Sequence, residues 1–123
     1  MIIVDTNCWI AYFSGERGRD IELLQAALPA TLRMSPFVLA ELFSDPLLPP
    51  ELQQHLLDFP LAPPKPALWV RAGTLRASLL LRRYRPKLID TLIAQQCIDE
   101  GATLLTRDRD FSVFAKFAGL QLL

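Results

Sequence analysis

Apolar residues run unbroken from Met1 to Val4, a short continuous stretch that predicts a fully buried strand. Ala102 to Thr106 is similar, Leu120 to Leu123 predicts a last strand, and the alternating Thr31-Leu32-Arg33-Met34 predicts another. Between these runs the spacing is helical. Cys8 to Phe13 predicts a short helix opened by the turn Asp5-Thr6-Asn7, with Gly15 and Gly18 at its exit, and a second helix follows from about Asp20 to Leu28, stopped by Pro29. Ser35 and Pro36 make an N-cap and first-turn pair for a helix reaching about Phe43. After Pro46, Pro49 and Pro50, helical spacing returns at Leu52, His55, Leu56 and Phe59, completing a small helical lobe. Pro60, Pro63, Pro64 and Pro66 form an extended connector too short to be an interdomain linker, and beyond it Leu68, Ala72, Leu75 and Leu79 stripe a long helix. Ile89, Leu92, Ile93 and Cys97 mark one more, with Gly101 as its stop. Short strands alternating with crossover helices predict one α/β domain over residues 1–123, a three-layer α/β/α arrangement around a short, mainly parallel sheet of about four to five strands.

Four carboxylates stand where these elements turn over. Asp5 closes the first strand, Asp108 follows the Ala102–Thr106 strand, Glu41 lies in the helix opened by Ser35, and Asp90 lies early in the helix before Gly101. The carboxyl ends of strands in an open parallel sheet gather on one edge, where ligands bind. Four acids there repel, by about 4 kcal/mol for two unit charges ~4 Å apart at an effective dielectric near 20. Protons or a cation must compensate. Carboxylate oxygens without supporting His or Cys suit Mg²⁺ or Mn²⁺, which keep waters and bind phosphates. The implied chemistry is phosphoryl transfer to water.

Composition narrows the setting. A chain of 123 residues, 51% of them hydrophobic, is rich in apolar side chains for one small domain, which predicts that a partner or a second copy covers part of the surface. No run approaches the ~20 apolar residues that span a membrane, and no basic flank or cleavage site of a signal peptide opens the chain, so a soluble cytoplasmic protein is expected. Cys8 and Cys97 lie inside predicted helices without metal-type spacing and read as reduced core thiols. Trp9 and Trp69 read as core, and His55 as packing or surface. The net charge of zero hides an asymmetry: residues 59–89 carry seven basic side chains and no acidic one. Arg71, Arg76, Arg82, Arg83, Arg85 and Lys87 belong to that stretch, just before Asp90. They form either a solvated helix face or a grip for a polyanion that bridges to the acids.

The runs Ile2-Ile3-Val4-Asp5-Thr6-Asn7, Ser35-Pro36-Phe37-Val38-Leu39-Ala40-Glu41-Leu42, Ile89-Asp90-Thr91-Leu92-Ile93-Ala94 and Leu104-Leu105-Thr106-Arg107-Asp108-Arg109-Asp110-Phe111 together resemble PIN-domain nucleases in order, spacing and length. The resemblance covers essentially the whole chain and is strongest to the small VapC-like toxins of type II toxin–antitoxin pairs. It implies a Mg²⁺- or Mn²⁺-dependent endoribonuclease of PIN-like fold, with Asp5, Glu41, Asp90 and Asp108 as metal-holding catalytic acids and Thr6, Asn7 and Thr106 supporting them by hydrogen bonds. Asp110 is either an outer ligand or the N-cap of the segment starting at Phe111. It also implies an RNA substrate, an antitoxin laid over the acidic groove, and a homodimer.

Each acid has a plainer reading. Asp5 suits an N-cap, Glu41 an exposed helix position, Asp90 a helix N-terminus, and Asp108 or Asp110 a turn. The rival function is a catalytically silent module of the same fold that binds a partner's arginines in its acidic pocket. A phosphatase or phosphotransfer receiver is disfavoured, since the chain lacks an Asp-x-Asp-x-Thr nucleophile and a mid-chain phosphoacceptor strand.

Overall fold

The computed structural model describes residues 1–28 and 30–123. Strand β1 (Ile2–Val4) takes an inner place in a four-stranded, wholly parallel sheet of order β2-β1-β3-β4. Its neighbours are β2 (Leu32–Arg33) and β3 (Thr103–Leu105), and β4 (Gln121–Leu122) pairs with β3 at the edge. Val4 lies opposite Leu105, so Asp5 and Thr106, the next residues, leave the sheet side by side, and the Asp5 N–H donates to the Leu105 carbonyl at 2.9 Å. Ile3, Val4, Leu104 and Leu105 are buried, as a parallel sheet covered on both faces requires.

Among the described residues seven helices cover the sheet: α1 (Thr6–Phe13), α2 (Arg19–Ala27), α3 (Pro36–Phe43), α4 (Pro50–Leu57), α5 (Leu68–Leu81), α6 (Leu88–Glu100) and α7 (Ser112–Ala118), giving the three-layer α/β/α architecture. A 3₁₀ turn, Arg109–Phe111, leads into α7. The expected helix from Cys8 starts two residues earlier, because Asp5 accepts the Thr6 N–H and caps the first turn. Ser35 caps α3 through Phe37 N, as its sequence position suggests. Phe59 falls beyond the end of α4, and the last strand covers only Gln121–Leu122. The expected stop of α2 at Pro29 lies outside the described residues. The Pro-rich connector passes beside β2, where Met34 donates to the Pro60 carbonyl and Ala62 donates to the Met34 carbonyl.

Trp9, Leu24, Leu32, Leu79, Ile93, Phe111 and Phe114 fill one contiguous core. Trp69 does not belong to it and is 67% exposed. Leu68, Ala72 and Leu79 bury one side of α5, and Trp69, about 100° further around the helix, is turned away. Val70, Leu81, Leu47 and Leu61 are also exposed, the apolar surplus that the composition predicts. Cys8 and Cys97 are buried free thiols, both pushed up to about 12, chiefly by burial. No helix among the described residues is long and apolar enough to cross a membrane.

Candidate active site

Parallel pairing of β1 and β3 sets the geometry. Thr106 follows β3 and donates its hydroxyl to Asp5 Oδ2 at 2.7 Å, while the same oxygen accepts the Asp108 N–H at 3.0 Å. One small side chain therefore links two of the four acids. Thr6, in the first turn of α1, donates to Glu41 Oε1 at 2.9 Å and draws α3 to the same edge. Asp90 sits in the first turn of α6, 8% exposed, and Asp5 is 5% exposed.

These carboxylates feel one another. Burial raises the Asp90 carboxyl to about 6, with the charges of Asp5, Asp108 and Glu41 adding to the shift and Lys87 opposing it. Asp5 is also raised, mainly by burial and further by Glu41 and Asp108, against the hydrogen bonds from Thr106 and Thr6. The four expected acids are thus brought into one electrostatic cluster. Such a cluster favours a proton or a cation. Among the described residues no three Asp, Glu, His or Cys side chains close into a metal cage by themselves. The oxygen-only donor set suits a hard ion whose remaining positions are filled by water.

The supporting residues divide. Asn7 accepts the Arg107 N–H at 3.2 Å and so fastens the loop that carries Asp108, without a bond to any of the four acids. The cap of the 3₁₀ turn is Asp108, whose Oδ1 accepts the Asp110 N–H at 2.8 Å, so the N-cap role held open for Asp110 falls to its neighbour. Cap geometry has a physical cause: the side chain two residues before the N–H closes an Asx-type ring, and the N–H two residues after Asp110, that of Ser112, is given to the Arg109 carbonyl instead.

Arg107 escaped the sequence reading although it stands within the Thr106–Asp110 run. It bonds Asp20 and reaches Glu16 Oε1 at 3.2 Å, tying the Asp108 loop to α2 and to the loop before it. The available signal was the surplus of acids in the first half of the chain.

The basic stretch splits as well. Arg71 pairs with Asp99 and donates to the Pro66 carbonyl, and Arg76 donates to the Pro86 carbonyl at 2.9 Å, so both serve the α5–α6 packing. Arg82 lies over the Phe117 ring, 4.5 Å from its centre. Arg83, with φ of 69°, occupies the left-handed position that ends α5 and turns the chain toward α6. Among the described residues Arg83, Arg85 and Lys87 form no ion pair, and Arg85 and Lys87 line a cavity of about 300 Å³ together with Asp90. Thr6 and Glu41 open onto a separate groove walled by Ile10, Phe13, Leu48 and Leu52.

The family model of the PIN domain matches residues 2–117. No curated protein matches the chain. Among solved structures, it is similar to VapBC2 from Rickettsia felis bound to a DNA fragment from its promoter, at 26% identity and a TM-score of 0.74, covering 100% of this chain and 98% of that one. It is likewise similar to DNA-bound VapBC from Salmonella typhimurium, at 18% identity and a TM-score of 0.75, covering 99% and 96%. FitAcB from Neisseria gonorrhoeae has the same fold, at 20% identity and a TM-score of 0.75 with 100% and 96% covered.

Proposed function

The chain belongs to the PIN domain family, and from that premise we propose that it is a Mg²⁺- or Mn²⁺-dependent endoribonuclease, the toxin of a type II toxin–antitoxin pair acting in the cytoplasm. The convergence of Asp5, Glu41, Asp90 and Asp108 carries this reading, since the charges of the other three all raise Asp90. Those four carboxylates would hold the ion. When bound, it supplies Lewis-acid polarisation of a phosphodiester and a more acidic attacking water.

The chain's own residues do the positioning. Thr106 orients Asp5 and the start of the Asp108 loop, Thr6 orients Glu41, and Asn7 and Arg107 hold the loop from outside. Asp110 faces the cavity beside Asp90 as an outer carboxylate. Arg82, Arg83, Arg85 and Lys87 supply positive charge for the RNA backbone, while Arg71 and Arg76 contribute through the packing that presents them.

The groove between Glu41 and Leu52 suits an antitoxin segment with apolar side chains and a cation directed at Glu41. A solved structure from Klebsiella pneumoniae that is similar in fold is described as a toxin–antitoxin complex. A second copy of the chain would cover the apolar shelf of Leu39, Phe43 and Leu57.

Cleavage of total RNA and transfer RNA by the purified chain, with Mg²⁺ or Mn²⁺ against EDTA, tests the proposal. Discrete fragments that require the ion and vanish with Asp90→Asn are expected. A folded, ion-binding protein that cuts neither pool would replace it with the silent binding module.

A further inference from the structure

The cavity beside Asp90 is the richest unassigned feature of the surface. Its walls come from two stretches distant in sequence: Tyr84, Arg85, Pro86 and Lys87, between α5 and α6, and Arg109, Asp110, Ser112 and Val113, from the 3₁₀ turn into α7. Its volume of about 300 Å³ is at the small end of ligand pockets, ~300–1,000 Å³, and suits one nucleotide unit rather than a duplex. Arg85, Lys87 and Arg109 all face it, and none forms an ion pair among the described residues. Three cations stand against the carboxylates of Asp90 and Asp110, a surplus that matches a singly charged phosphodiester. Arg109 also lines the neighbouring cavity with Thr106 and Asp108, so it stands on the ridge between two of the acids.

Tyr84 gives the cavity an aromatic wall. Its ring packs against Phe117, with centroids 5.4 Å apart, and the residue as a whole is 39% exposed. A ring held on one side and open on another is a stacking platform for an unpaired base, and single-stranded RNA is read in this way.

We propose that this cavity binds the nucleotide adjoining the cleaved phosphodiester, with Arg85, Lys87 and Arg109 on its phosphate and Tyr84 against its base. The proposal rests on the ribonuclease reading for its substrate class. It adds Arg109 and Tyr84 to the residues that position RNA, and it makes the centre asymmetric: RNA leaves past Asp90 on the cationic side, separate from the apolar groove at Glu41.

The test is fluorescence anisotropy of a labelled single-stranded RNA hexanucleotide binding the full chain in EDTA, across a salt series. Arg109→Gln and Arg85→Gln should each weaken binding and lower the salt slope by about 0.7, the value for one phosphate contact on a single strand. Tyr84→Leu should weaken it at least about fivefold with the slope unchanged, and Tyr84→Phe should restore it. Arg19→Gln, an equal loss of charge at the start of α2, should do neither. Equal losses for Arg19→Gln and Arg109→Gln would overturn the assignment, and so would full affinity in Tyr84→Leu. Cleavage assayed in parallel separates the two proposals. RNA bound as described but never cut, with either ion, defeats the nuclease reading and leaves the binding site standing. Cleavage indifferent to Arg109 and Tyr84 does the reverse.

Discussion

Thr106→Val replaces a hydroxyl by a methyl of nearly equal size, so its effect isolates two hydrogen bonds. The first, to Asp5 Oδ2, is charge-assisted while Asp5 is ionised and contributes roughly 1.5–3 kcal/mol. The second, from the Asp108 N–H, is an ordinary bond of about 0.5–1.5 kcal/mol. Their sum, about 2–4.5 kcal/mol, is the expected loss at pH 8 in EDTA. The loss should depend on pH. The Asp5 carboxyl is already raised in the folded chain, mainly by burial, so its contribution to stability is full below the unfolded carboxylate range and is lost as pH rises through the folded value. Removing the Thr106 hydroxyl takes away a bond that lowers that value, so the raised window widens upward. At pH 3.5, below the ordinary value of 3.8, the raised Asp5 is protonated and has less to lose. The difference between mutant and wild type should therefore shrink there to that of two ordinary bonds, about 1–3 kcal/mol. Urea unfolding followed by fluorescence of the buried Trp9 measures both stabilities, provided the slope with urea is the same for both proteins. A loss of equal size at the two pH values would refute the coupling of Thr106 to an ionised Asp5.

Asp90→Asn should abolish cleavage yet stabilise the ion-free protein at pH 8 by about 1–3 kcal/mol, since it removes a buried charge raised to about 6; an unchanged or lower stability by the same unfolding assay would count against the cluster. Mg²⁺ or Mn²⁺ should raise the melting temperature at pH 7.5 and lose most of that effect below about pH 6, where Asp90 takes up a proton that competes with the ion; calorimetric scans at pH 5 and 7.5 with and without EDTA decide this. Arg107→Ala should free the Asp108 loop from Asp20 and Glu16, speeding amide exchange over residues 106–110 and lowering ion affinity while α5 and α6 exchange as before. Native Cys8 and Cys97 should resist alkylation at pH 8 until the chain unfolds, because both thiols are buried and held near 12.

Much of this was legible in the residues themselves. Continuous apolar runs marked β1 and β3, and the Ser35-Pro36 pair marked the start of α3, because burial and capping act over a few residues. The four acids could be placed at one edge because strand ends in a parallel sheet share a direction. What escaped depended on distant partners. Arg71 looks like its neighbours until Asp99, 28 residues on, claims it. Arg107 is one more surface cation until Asp20 and Glu16 arrive from the other end of the chain. Trp69 follows a buried leucine, and only the orientation of α5 against the sheet reveals it as exposed.

The pairing of β1 with β3 has a consequence for the order of events during synthesis. Ile2 meets Thr103 and Asp5 meets Thr106 across about a hundred residues of intervening chain, and those contacts build the acid cluster. Loop closure of that length is entropically costly and slow, and β1 must wait for β3. An incomplete chain emerging from the ribosome, or one broken off before residue 103, lacks β3, Thr106 and Asp108, so Asp5 has no strand beside it and the cluster is not closed. The acid cluster can therefore close only after residue 108 has been made, and on the proposed ribonuclease reading a product ended before that point would lack the assembled centre by topology alone.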